Sequence, residues 1–231
     1  MIHFFFVAFA LAKNVELVKL QPDVYVVSQV QEPYQANSLL VISENDYILV
    51  DSKNNEADAA TLWTWIKKEN KNAKLTVISS HFHADSTGSN AYYKAQGAKV
   101  ITSDRTNELL EKAGRPRQMG NDTFPLADSP ALMIGKELVN VIFPGASHSP
   151  DDVVIYFPDR GVLFGSCLTK PGKDLGYLGD ADLVSWRQAM DKVKAIPAKH
   201  VVPGHGTEFA PSNIDNTIKL LDDALKGKKK S

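Results

Sequence analysis

Six residues of this chain are candidate metal ligands: His81, His83 and Asp85 in the run S-S-H-F-H-A-D-S, then His148, Cys167 and His205. The chain has six histidines, of which four fall in this set, and its single cysteine falls there too. His81 and His83 are spaced i, i+2, which puts both side chains on one side of an extended segment. A tight turn then brings Asp85 in from another angle. With His148 the two histidines form a three-imidazole site. Three protein ligands leave one position open for water, the form of a catalytic zinc site. Asp85, Cys167 and His205 form a second triad, whose thiolate argues for zinc over magnesium, calcium or manganese. Two zinc ions about 3.5–4 Å apart can activate a shared water, polarise a carbonyl and stabilise a leaving group. The Asp85 carboxylate, the Cys167 thiolate and a bridging hydroxide leave positive charge unbalanced, which favours an anionic substrate or a developing anion. The chemistry expected is metal-assisted hydrolysis.

Taken singly, each residue has a plainer explanation. A lone histidine near a strand end is ordinarily structural, a lone cysteine a small core hydrophobe. Asp85, before Ser86-Thr87-Gly88, has the context of a helix cap. The joint pattern outweighs these readings. His200, before Val201 and in no ligand-like context, is read as structural.

The ligands follow apolar, β-branched runs and sit in turns, where residues at the mouth of a sheet belong. Strands are expected at Val24–Val30, Ser38–Ser43, Tyr47–Val50, Leu75–Ile78 and Val100–Thr102, with Gln31–Asn37 as a hairpin loop. Helical spacing of Ala59, Leu62, Trp63 and Ile66 predicts a helix over Glu56–Glu69, with further helices over Gly88–Gln96 and Thr106–Ala113. The second half repeats the style. Strands at Glu137–Phe143, Val153–Phe157, Val162–Phe164 and His200–Val202 lead to His148, Cys167 and His205, with helices from Asp182 and over Asn213–Leu225. This order implies an α/β fold of two packed sheets with helices outside, and ligands from both halves meeting at one edge.

A chain of 231 residues can bury a full core, and one domain over residues 13–231 is expected. The net charge of -1 implies no polyanion-binding surface, so no nucleic-acid partner is expected. Lys226–Lys230 reads as a frayed, solvated end. Residues 1–12, M-I-H-F-F-F-V-A-F-A-L-A, read as the remnant of a signal peptide, apolar and ending in small residues but without a positive start. That run is too short to span a bilayer. Export to the periplasm is the expectation, and metal ligation would explain an unpaired thiol there.

From Val24 to Leu225 the chain resembles the metallo-β-lactamase superfamily, an αββα four-layer sandwich shared by many hydrolases. Most branches carry H-x-H-x-D-H and a bridging Asp; here Ser86 and Cys167 stand at those two positions. This combination resembles the class B β-lactamases with a three-His site and an Asp-Cys-His site. C-L-T-K is similar to the family's Cys-x-x-Lys, G-A-S-H-S-P-D-D to its Gly-His-Thr-x-Asp segment, and D-L-G-Y-L-G-D-A to its loop beside the metals. The resemblance implies a monomeric, periplasmic enzyme with two zinc ions that opens the amide bond of penicillins, cephalosporins and carbapenems and so confers antibiotic resistance. It implies attack by a zinc-bound hydroxide that Asp85 orients, and a substrate carboxylate held by Lys170. Two departures stand out. Tyr177 occupies the position where many members place an oxyanion-stabilising Asn, and is expected to take part in catalysis or to pack on substrate. The Gln31–Asn37 hairpin is shorter than the family's flap, with Tyr34 and Pro33 as its apolar cover. A thioester, lactone or phosphoester hydrolase on the same fold is the alternative, but it calls for a carboxylate where Cys167 lies.

Overall fold

The structure is a computed structural model of the chain, in which residues 7–12, 14–31, 34–118 and 122–228 are described. Its first sheet runs in chain order through β1 (Val7–Ala12), β2 (Val15–Gln21), β3 (Val24–Gln31), β4 (Tyr34–Ser43), β5 (Asp46–Val50), β6 (Lys74–Ile78), β7 (Lys99–Ser103) and β8 (Thr123–Phe124). The second sheet comprises β9 (Ala131–Ile134), β10 (Glu137–Ile142), β11 (Val154–Phe157), β12 (Val162–Ser166) and β13 (His200–Pro203), in the order β13-β12-β11-β10-β9. Strands β1 to β5 form an antiparallel meander, and β5, β6 and β7 are parallel. The helices are α1 (Glu56–Glu69), α2 (Ala84–Thr87), α3 (Asn90–Ala95), α4 (Asp104–Lys112), α5 (Leu183–Lys194) and α6 (Ser212–Lys228).

Strand periodicity explains the layering. In β5, Ile48 and Val50 face the second sheet, while Tyr47 and Leu49 face helix α1 through Leu62 and Ile66. In β12, Val162 and Phe164 join the layer between the sheets, while Leu163 packs with Trp186 and Met190 of α5 and Leu221 of α6. Strands covered on both faces read as continuous apolar runs. Three cores therefore separate four layers, the αββα sandwich expected from the sequence.

Three local expectations need correction. The hairpin loop does not extend over Gln31–Asn37: β3 continues to Gln31, β4 begins at Tyr34, and Asn37 pairs with Ser28 across the ladder. Polar residues there read as loop, but they have partners; the Ser28 hydroxyl donates to Asn37 Oδ1 at 2.9 Å. The helix expected over Gly88–Gln96 is the shorter α3, and the one-turn α2 precedes it outside the expected span. Gly88 between them lies so close to the chain that a Cβ would sit 2.6 Å from the Ala84 carbonyl oxygen. Strands β2, β8 and β9 lie outside the expected elements. Residues 7–12 of the expected signal remnant form strand β1 on β2, with Phe9 against Tyr25 and Trp65. Pro33 and the side chain of Tyr34 lie outside the described residues.

Candidate metal centre

The centre is built where β5, β6, β12 and β13 end. Asp51, just past β5, is buried with φ of 67°. Its carboxylate accepts the Ser80 amide at 2.8 Å, the Ser80 hydroxyl at 2.8 Å and the Ser86 hydroxyl. Burial pushes the Asp51 carboxyl up to about 7 against the pull of these hydrogen bonds. Ser86 Oγ in turn accepts the amides of Ser80 and His81 at 2.9 and 3.3 Å. The H-F-H-A-D segment is thus folded around a buried carboxylate rather than left extended. From outside, Arg115 donates to the Phe82 carbonyl at 2.7 Å and to Thr87 Oγ1 at 2.8 Å, fixing the residue between the two histidines.

The structure brings His81, His83 and His148 together, with one ligand atom of each within 4.8 Å of the others. Their rings meet edge to face, with centroids 4.8, 5.1 and 5.7 Å apart. His81 Nδ1 lies 3.0 Å from Ser80 Oγ, and His83 Nε2 lies 2.9 Å from Asp180 Oδ2. Two ring nitrogens, His81 Nε2 and His148 Nδ1, are buried without a hydrogen-bond partner. Burial lowers His81 to about 3; burial and then the Lys170 charge lower His148 to about 2. Both rings are therefore neutral, the form that ligates metal.

Beside them, His81, Asp85 and Cys167 also gather within 4.8 Å, and Cys167 Sγ lies 3.3 Å from Asp85 Oδ2. His205 reaches this group through Asp85, its Nε2 lying 3.1 Å from Oδ2. Its other nitrogen, Nδ1, meets the Gln35 carbonyl at 2.7 Å. Burial alone would raise Asp85, but His205, His81 and Cys167 outweigh it and hold the carboxyl well below the usual range. Burial, then the Asp85 charge, pushes the Cys167 thiol up. A thiol so placed becomes a thiolate by binding a cation, and with it the facing carboxylate gains a counter-charge. Orphaned imidazole nitrogens, a carboxylate and a thiol converging on one space fit zinc.

The family model of the metallo-beta-lactamase superfamily matches residues 32–205. The chain belongs to the metallo-β-lactamase superfamily. It is 31% identical to a metallo-beta-lactamase type 2 of Pseudomonas aeruginosa, over 94% of this chain and 87% of that protein. Another metallo-beta-lactamase type 2, from Elizabethkingia meningoseptica, is 29% identical over 94% of this chain and 89% of its own. The solved structure of a metallo-beta-lactamase from Pontibacter korlensis superposes with a TM-score of 0.83 at 30% identity, covering 90% of this chain and 99% of that one.

A cleft of about 600 Å³ opens over this superfamily centre, lined by His83, Asp85, His148, Lys170, Tyr177 and His205 among others. Lys170 is buried, its Nζ 5.7 Å from the Trp186 ring centroid, and among the described residues no ion pair holds it. Tyr177 is exposed, its ring edge-on to His83 and His148 at 5.7 and 6.3 Å. Its hydroxyl rests on Gly179, where a Cβ would lie 2.0 Å from it.

Several positioning residues escaped the reading of the sequence: Asp51, Ser80, Asn37, Arg115 and Asp180. Asn37 of β4 donates to the carbonyls of Pro203 and Gly206 at 3.0 and 2.7 Å, clamping the P-G-H-G turn that carries His205. Gly204 of that turn touches the cysteine, since a Cβ would lie 2.8 Å from Cys167 Sγ. The one available signal was D-S-K directly after the buried strand Y-I-L-V, a polar run where a turn to the site begins.

Proposed function

We propose that this protein is a zinc β-lactamase that hydrolyses the amide bond of penicillins, cephalosporins and carbapenems and so gives antibiotic resistance. The single observation that carries this reading is the free Lys170 beside the two ligand groups. A cation buried at the wall of a metal cleft suits a substrate that carries a carboxylate near its reacting carbonyl. His81, His83 and His148 would hold one zinc ion, and Asp85, Cys167 and His205 a second. Bound zinc supplies Lewis-acid polarisation of the carbonyl and makes water a competent nucleophile at neutral pH.

The chain's own groups do the rest. Asp85, held ionised, accepts a proton of the attacking water in a hydrogen bond and orients its lone pair at the carbonyl. The water oxygen becomes part of the new carboxylate, the C–N bond breaks and the ring nitrogen takes up a proton. Lys170 binds the substrate carboxylate and fixes the ring's orientation. Tyr177 packs edge to face against the imidazoles of His83 and His148, and its hydroxyl must leave Gly179 to donate to an oxyanion.

All six ligands come from one chain, which supports a functional monomer. Among the described residues no helix is long and apolar enough to cross a membrane. Export to the periplasm is supported by the apolar run at residues 1–12 that ends in small residues. The N-terminal mass of protein recovered from the periplasm tests this. The activity is tested by hydrolysis of nitrocefin and a carbapenem, with and without chelator, beside a thioester, a lactone and a phosphoester. Opening of the β-lactams by zinc-loaded protein is expected; turnover of only the other substrates would overturn the assignment.

A further inference from the structure

Ser166 stands at the join of the two ligand groups. It ends β12, one residue before Cys167, and has φ of 52°. That left-handed conformation suits glycine and is rare for a serine. The residue is fully buried, and every polar atom that the structure pairs leads to a ligand segment. Its hydroxyl lies 2.8 Å from Ser80 Oγ, next to His81, and 3.4 Å from Asp152 Oδ1. Asp152 accepts the Ser149 amide at 3.0 Å and the Ser147 hydroxyl at 3.1 Å, and so holds the turn that bears His148. The Ser166 carbonyl accepts the Gly204 amide at 2.7 Å, next to His205.

The protons can be followed. Ser80 Oγ gives its hydrogen to Asp51 Oδ2 at 2.8 Å, so toward its other neighbours it accepts. The nearest are the Ser166 hydroxyl at 2.8 Å, whose one hydrogen then goes to Ser80 and leaves Asp152 at 3.4 Å as a polar contact, and His81 Nδ1 at 3.0 Å; Ser86 Oγ, 3.5 Å away, gives its own hydrogen to Asp51. With the proton on Nδ1, the His81 lone pair is on Nε2, the buried atom that has no hydrogen-bond partner and lies 3.6 Å from Asp85 Oδ1. The Ser166 hydroxyl occupies the remaining acceptor position of Ser80 and keeps that serine from turning away. A glycine would meet the backbone demand at less conformational cost, so the side chain itself is what the position uses.

We infer that Ser166 is a positioning residue that couples the two triads. Its hydroxyl holds His81 in the tautomer that presents Nε2, and its turn and carbonyl seat Cys167 against the His205 loop. The inference rests on the reading of the six ligands as a two-metal centre.

The test compares Ser166→Gly and Ser166→Ala with the parent. Stepwise zinc affinities are measured by chelator competition, together with the melting temperature of each metal-free protein. Ser166→Gly should melt no lower than the parent, because the backbone is relieved, yet bind its metals about 10–100-fold more weakly. Ser166→Ala keeps the Cβ and should melt lower with the same loss of affinity; if it does not fold, the glycine variant carries the test. Unchanged zinc affinities in Ser166→Gly would overturn the inference. So would a loss in Ser166→Gly that is matched by a fall in its metal-free melting temperature, which marks general destabilisation. A parent that binds no zinc would instead overturn the two-metal reading beneath it.

Discussion

Three of the four histidines at the centre set one ring nitrogen against a protein group outside the six candidate ligands. His81 leans on Ser80, His83 on Asp180 and His205 on the Gln35 carbonyl. Such partners fix tautomer and ring orientation, and their loss typically weakens metal binding about 10–100-fold. Asp180→Ala is therefore expected to lower zinc affinity within that range, measured by chelator competition. Metal-free stability should hardly change, because this side chain is exposed. Cys167→Ser should reduce zinc to about one per chain, since a hydroxyl is a poor substitute for a thiolate; metal analysis of the purified variant checks it. Lys170→Ala removes the cation proposed for the substrate carboxylate. A charged hydrogen bond contributes about 1.5–3 kcal/mol, so kcat/KM should fall about 10–100-fold, mostly through KM.

At the level of elements, the centre depends on strand β4 holding the turn after β13. Asn37→Ala leaves the buried Pro203 carbonyl and the half-buried Gly206 carbonyl short of a donor, a loss of about 1–3 kcal/mol, read as a lower melting temperature. Lys53 ties another pair of elements. Buried just past β5 with φ of 77°, it donates to the carbonyls of Val27 and Ala36. Burial lowers its amine from 10.5 to about 7, against the pull of Asp58 and Asp51. Between these values the unfolded chain binds a proton that the folded chain does not, so Lys53 makes stability rise with pH across that window. Below it the full cost of charging the buried amine is present. Denaturation of parent and Lys53→Met from pH 7 to 10 checks this: the substitution should flatten the rise.

Across the whole molecule, the sandwich was legible because its strands are buried on both faces. Y-I-L-V and V-L-F have no polar residue to hide, and helix α1 matched its expected limits because Asn55 caps it and its apolar spacing is helical. The six candidate ligands were legible because their residue types are scarce in this chain and their spacing is chemical. The supporting residues were not. Asp51, Ser80, Asn37 and Ser166 are ordinary polar residues in sequence, and their partners lie far along the chain, as Asn37 and Gly206 do. The β3–β4 hairpin was misread for the same reason, since its polar side chains find partners only in the folded sheet. The most direct test of the account is a zinc titration of the metal-stripped protein, following nitrocefin hydrolysis and bound metal together. Hydrolysis should return as the sites fill, toward about two zinc ions per chain; a protein that fills with zinc and leaves nitrocefin intact would contradict it.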